Sequence, residues 1–134
     1  MAVDVSNEEW KKKLTPDQYH VLREKGTEVP GTGKLLYNNE TGMYVCGACG
    51  KPVFNSSAKY DSTTPGLIGW PSFSDAASNE AVELLEDNSG GMHRTEVVCK
   101  NCGSHLGHLF EDASSPNGKH FCINSAALEF KKKI

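Results

Sequence analysis

The sequence predicts a mainly β, antiparallel fold with one or two short helices at its N-terminal end. Three observations predict it. Helix-start signals are confined to the first third of the chain. From Lys34 onward the texture changes to short apolar stretches punctuated by glycine. Two Cys-x-x-Cys pairs, Cys46/Cys49 and Cys99/Cys102, lie between strand-like segments, and each is followed at once by glycine.

The elements follow in order. Ser6-Asn7-Glu8-Glu9 reads as a capping box opening a short helix through Lys13. In Thr15-Pro16-Asp17-Gln18, Thr15 caps a second helix, Pro16 takes its first position and Gln18 reaches back, with Gly26 as the stop. Residues 42–46 read as a strand feeding the first cysteine pair, and 51–54 leave it. Residues 56–69 are polar and turn-rich. Segments 81–86 and 92–99 flank Asp87-Asn88-Ser89-Gly90-Gly91 and read as a hairpin whose second strand delivers Cys99. Segments 106–110, 119–124 and 127–130 are further strands, and Lys131-Lys132-Lys133 reads as a solvated tail. With 134 residues, one domain over 1–134 is expected, with 1–8 and 131–134 as flexible ends.

Composition excludes several classes. A formal charge of −3 leaves no basic footprint for nucleic acid. No apolar run reaches the roughly 18 residues of a membrane span. The start lacks the basic and apolar stretches of a secretory signal. Five cysteines in such a chain are expected as reduced thiols, in the cytoplasm or an organelle matrix.

Four of those thiols, at knuckle spacing, suit one structural Zn²⁺ in a tetrahedral site with no open position. The competing reading makes each pair redox active. A thioredoxin-like motif, however, sits where a strand meets a helix, and neither pair does. Cys49 and Cys99 are too far apart in sequence for a single zinc finger. The ion would therefore tie two distant hairpin tips together and supplement a small core.

Cys122 is then the one thiol left for chemistry. Taken alone it reads as a small buried hydrophobe. Its company points elsewhere. His105 and His108, in what reads as a glycine-containing turn, can hydrogen-bond a substrate oxygen or hold a proton near neutral pH. Asp112 could orient an imidazole. Alternation along 119–124 puts His120, Cys122 and Asn124 on one strand face, where an imidazolium would favour the attacking thiolate. Trp70, in Gly69-Trp70-Pro71-Ser72-Phe73, reads as core or as an apolar wall for a small methyl group. His20 and His93 read as surface or packing residues.

With these pieces the chain resembles the methionine sulfoxide reductase B family, the SelR-type enzymes that reduce the R epimer of methionine sulfoxide. The matching pieces run from about residue 10 to residue 130. They include Leu14-Thr15-Pro16 with Gly26-Thr27-Glu28, Tyr44-Val45-Cys46 with Cys49-Gly50, and Gly69-Trp70-Pro71-Ser72-Phe73. They continue with Met92, Arg94-Thr95-Glu96-Val97, Cys99 with Cys102, His105-Leu106-Gly107-His108, and Phe121-Cys122-Ile123-Asn124-Ser125.

The resemblance implies two antiparallel sheets with N-terminal helices, the substrate lying on an open face. It makes Cys122 the nucleophile toward the sulfoxide sulfur. His105 and His108 bind and protonate the oxygen, Asp112 stands behind them, and Asn124 lies beside the nucleophile. Trp70 meets the S-methyl, with Phe73 and His120 also on the substrate side. Cys46, Cys49, Cys99 and Cys102 hold the zinc. The products would be methionine, free or in repaired proteins, and a Cys122 sulfenic acid.

Two departures from the family pattern shape the expectation. Many members carry a resolving cysteine in Ser-Gly-Cys-Gly-Trp-Pro, where this chain has Ile68 in a longer 62–68 connection. A one-cysteine mechanism is therefore expected, with thioredoxin (recycling slowly), glutaredoxin with glutathione, or a small dithiol as external reductant, in a monomeric enzyme. The second is His120, where arginine is common; thiolate support there is expected to fade as pH rises. Rival readings are a non-catalytic zinc-stabilised binding module and a zinc ribbon for nucleic acid. The first leaves the company of Cys122 unexplained, and the acidic balance opposes the second.

Overall fold

The computed structural model describes residues 12–24, 26–27, 31, 33, 35–36, 38, 40–60, 69–78, 80–88, 94–112, 115 and 118–132. The capping box at Ser6, the 62–68 connection with Ile68, and His93 lie outside them.

Two antiparallel sheets form, as expected. The smaller contains β1 (Gly42–Cys46), β2 (Pro52–Asn55) and β9 (Leu128–Lys132), in the order β2-β1-β9. The larger contains β3 (Lys59–Tyr60), β4 (Ser72–Phe73), β5 (Val82–Asp87), β6 (Arg94–Cys99), β7 (His105–Glu111) and β8 (Lys119–Ile123). Its order is β3-β4-β8-β7-β6-β5. One full helix, α1 (Pro16–Glu24), is present among the described residues, and Lys12 and Lys13 are also helical. No helix among them is long and apolar enough to cross a membrane.

The start of α1 is a reciprocal capping box. The Thr15 N–H donates to Gln18 Oε1 at 3.0 Å, and the Gln18 N–H donates to Thr15 Oγ1 at 3.2 Å. The Gly26 N–H closes the other end on the His20 carbonyl at 2.8 Å. Val21 and Leu22 are the buried face. Arg23 reaches out to the Cys102 carbonyl and to Ser104 Oγ, which ties the helix to the second cysteine pair.

Aromatic rings join the sheets. Phe54 of β2 stacks on Phe73 of β4 with centroids 4.5 Å apart, and Tyr44 of β1 meets Phe73 edge-on at 5.1 Å. Phe121 of β8 meets Phe54 at 5.6 Å. Such offset and edge contacts add to the burial of the rings themselves.

Three details differ from the sequence expectation. β3 and β4 fall in or beside the segment read as turns; two residues each are too few to show a period. His105-Leu106-Gly107-His108 is not a glycine-containing turn but part of β7, in line with the strand reading of 106–110. Lys131 and Lys132 extend β9 against Met43 and Gly42 instead of forming a tail, although their side chains are exposed.

Candidate functional site

Period-two alternation along β8 sorts its residues. Phe121 and Ile123 enter the core, whereas His120 and Cys122 face the other way. Pairing extends this second face across the sheet. Tyr60 opposes Ser72, Ser72 opposes Cys122, Cys122 opposes His108, and His108 opposes Glu96. Directly opposed residues share a face, so these side chains form one row with Cys122 inside it.

A bulge adds His105 to that face. Val97 pairs with Gly107 but Val98 pairs with His105, so Leu106 is the extra residue in β7. Without it, residues three apart would point to opposite faces. With it, the His105 and His108 rings lie 5.4 Å apart, edge to face.

Gly107 permits close approach at this point. A Cβ there would run into the Cys122 carbonyl oxygen and lie 2.9 Å from the Ile123 Cα. Asn124 donates to the Leu106 carbonyl through its backbone N–H at 3.0 Å and its side-chain amide at 3.1 Å, which fixes the end of β8 to the bulge.

Cys122, His108, Asn124 and Trp70 line one cavity of about 120 Å³, together with Thr27, Arg94, Gly107 and Phe110. The space suits the end of a small side chain. His105 lies behind this lining, 3% exposed. Two acidic residues hold the histidines. His105 Nδ1 donates to Glu96 Oε2 at 2.8 Å, and His108 Nε2 donates to Asp87 Oδ2 at 2.7 Å. Arg94 also donates to Asp87 Oδ2, at 3.3 Å.

Asp112 therefore does not fill the place expected of it behind the two histidines. Its carboxylate accepts from His120 Nδ1 at 2.9 Å, at the far side of Cys122. His120 and Phe73, expected on the substrate side, are both 0% exposed. Phe73 alternates into the aromatic core, and His120 is covered by Tyr60, whose ring stands 5.4 Å away.

Asp87, Glu96, Arg94, Thr27 and Phe110 were missed as site residues. No local signal marked Glu96, which stands between Thr95 and Val97 and meets His108 only through pairing of β6 with β7. Tyr60 sits close enough to feel the charges of Asp112 and Cys122, and burial first of all pushes its phenol above the usual range.

The other four cysteines gather elsewhere. Each pair is a hairpin tip, β1–β2 and β6–β7, closed by glycines in left-handed conformation: Gly50 at φ +80° and Gly103 at φ +77°. Their N–H groups return to the carbonyls of Cys46 and Cys99. Sulfur separations are 3.7 Å for Cys46–Cys102 and 3.6 Å for Cys49–Cys99, and all four sulfurs lie within 4.8 Å of one another.

A tetrahedron with metal–sulfur bonds of about 2.3 Å has edges of roughly 3.8 Å. The donor set therefore fits a closed four-coordinate metal. Contact among the thiols splits their acidities. Hydrogen bonds to Cys102, then Cys49 and Cys99, with burial behind them, push Cys46 far up. Hydrogen bonds from Cys46, then Cys99, hold Cys102 down at about 2. As four thiolates at these separations they would repel one another, and a cation held among them would offset that.

The SelR domain family matches residues 14–132. The chain belongs to the SelR domain family. A relative in Methanosarcina barkeri named peptide methionine sulfoxide reductase MsrB is 58% identical over 130 residues, covering 97% of this chain and 89% of its own length. One of the same name in Leptospira interrogans is 50% identical over 131 residues, 98% and 97% of the two chains. The human protein named methionine-R-sulfoxide reductase B2, mitochondrial, is 51% identical over 136 residues, 96% of this chain and 72% of its own. In this SelR-family chain, sheet pairing and one bulge bring the pocket residues together, and the cysteine cluster stands apart from them.

Proposed function

We propose that this SelR-family chain is a methionine-R-sulfoxide reductase with Cys122 as nucleophile and one structural Zn²⁺ on Cys46, Cys49, Cys99 and Cys102. The observation that carries the reading is the placement of Cys122 beside His108 and Trp70 in one small cavity, apart from the four clustered thiols. When bound, the ion links the two hairpin tips and keeps its four sulfurs out of the chemistry.

In the reaction, the Cys122 thiolate attacks the sulfoxide sulfur, forming a transient S–S bond. One proton goes to the oxygen, which passes to the Cys122 sulfur as the S–S and S–O bonds to the substrate sulfur break. The sulfide leaves as methionine, and Cys122 keeps the oxygen as a sulfenic acid. Negative charge develops on the oxygen, so a donor is needed there. His108 lines the pocket and supplies it, oriented through Nε2 by Asp87, while the buried His105–Glu96 pair supports it edge-on. The methyl group rests on Trp70. Only the R epimer sets methyl and oxygen on their respective partners together.

Two external thiols complete the cycle. The first displaces water to form a mixed disulfide with Cys122, and the second releases the Cys122 thiol and leaves the external disulfide. Ile68 offers no internal alternative, which supports a one-cysteine cycle served by thioredoxin or another thiol reductant. The substrate is methionine-R-sulfoxide, free or in oxidised proteins. The direct test is turnover of each separate epimer with dithiothreitol. Reduction of the R epimer alone is expected. Zinc-loaded protein that reduces neither epimer would leave a binding module.

Gly107→Ala tests how closely the nucleophile must be placed. The new methyl has only backbone of β8 to displace. A shift of about 1 Å at a reacting atom costs on the order of a hundredfold, so kcat/KM for the R epimer is expected to fall by about that factor. Zinc content, measured in the same sample, should stay near one ion per chain.

A further inference from the structure

A buried hydrogen-bond chain runs from Asp112 to the pocket wall and contributes no group to the bond-making steps above. Asp112 Oδ2 lies 2.9 Å from His120 Nδ1, and His120 Nε2 lies 2.8 Å from Ser72 Oγ. Ser72 Oγ in turn donates to the Trp70 carbonyl at 3.3 Å. His120 is 0% exposed and Ser72 1% exposed, so water does not substitute for these partners.

The proton count along this chain is constrained. An ionised carboxylate only accepts, so Nδ1 of His120 carries a hydrogen. Ser72 has a single hydroxyl hydrogen. If that hydrogen goes to the Trp70 carbonyl, Nε2 must also carry one in order to donate to Ser72 Oγ, and His120 is an imidazolium. If Nε2 is bare, it takes the Ser72 hydrogen, and the Trp70 carbonyl loses this donor. Ionic Asp112–His120 and a held Trp70 carbonyl therefore go together.

The groups facing His120 support the first arrangement. Asp112, after β7, is its anion. Tyr60, from β3, stands edge-on, and burial keeps its phenol neutral beyond the usual range. Cys122 shares its face of β8 and would carry negative charge as the nucleophile. Phe110, opposite on β7, brings no charge.

We propose that His120 is a positioning residue: as an imidazolium it makes Ser72 hold the Trp70 carbonyl, and so fixes the indole that receives the substrate's S-methyl group. The assignment rests on the reductase reading for its kinetic consequence but not for its physical one. Because arginine always donates, an arginine at this position would keep Ser72 turned to Trp70 at every pH. Histidine makes that hold conditional.

The experiment reads protonation and indole separately from turnover. Ring ¹⁵N shifts of His120 give its protonation state in the unmodified protein across pH 5 to 9. In a Trp10→Phe background Trp70 is the remaining tryptophan, and its emission is followed over the same range. The emission is expected to change with the midpoint of the His120 signal, and to lose that component in both Ser72→Ala and His120→Arg.

In kinetics with dithiothreitol, Ser72→Ala should raise KM for the R epimer about five- to tenfold, the size of one lost hydrogen bond, with kcat within about twofold. His120→Arg should keep the low KM as pH rises. A His120 ring that is neutral across the range where KM is low would overturn the proposal, as would an emission change that survives in Ser72→Ala. If neither epimer is turned over, the reductase reading fails while the ¹⁵N and emission results still decide this one.

Discussion

Cys122→Ser is expected to abolish reduction of the R epimer, by roughly a thousandfold or more, the scale on which loss of a catalytic nucleophile acts. Sulfur is needed for two reasons. Its thiolate exists near neutral pH where an alkoxide does not, and it can carry the transferred oxygen as a sulfenic acid. The substitution is nearly isosteric at a half-buried position whose backbone is fixed by β4 and β7. Zinc content and melting temperature should therefore match the wild type. A single-turnover assay with dithiothreitol, run beside a metal assay, separates the possibilities. Activity above a tenth of wild type in the serine variant would move the chemistry to another residue.

Removing the metal is expected to have the largest effect on stability. Cys102→Ser, or exhaustive chelation of the wild type, should lower the melting temperature by more than about 10 °C, because binding free energy at a structural site is folding free energy. The geometry supports a large value. The cluster joins the β1–β2 tip of one sheet to the β6–β7 tip of the other. Cys102 also lies 3.1 Å from Ser104 Oγ, itself held by Arg23 of α1, so the loss reaches the helix. Scanning calorimetry with and without added Zn²⁺ is the check: zinc should restore the chelated wild type but not the variant. A stripped protein that melts within a few degrees of the loaded one would show that the sheets hold together unaided.

Much of this was legible in the sequence because it depends on local chemistry. The Thr15–Gln18 cap, the strand into Cys46 and the two cysteine tips each announce themselves within a few residues. The face shared by His120 and Cys122 follows from period two alone. What could not be read depends on pairing between distant strands. Nothing near His108 in sequence indicates Asp87, which reaches it from β5 past β6. Asp112 seemed the natural partner at four residues' distance, yet β7 carries it past the pocket to His120. The resemblance puts Phe73 and His120 on the substrate side, whereas burial of each is decided by what β2 and β3 lay over them. Residues 105–108 allowed both a strand and a glycine turn; β7 takes the first, and the small size of Gly107 serves contact with β8.

The supernumerary Leu106 has an effect on how this site can vary. β7 counts three steps between its imidazoles while its neighbours count in twos, so the motif works only at that one phase. Deleting a residue there would send one ring to the opposite side of the sheet and realign everything upstream, including Cys102. Nucleophile support and metal clasp are thus set by the same offset, and neither can drift along the strand without the other.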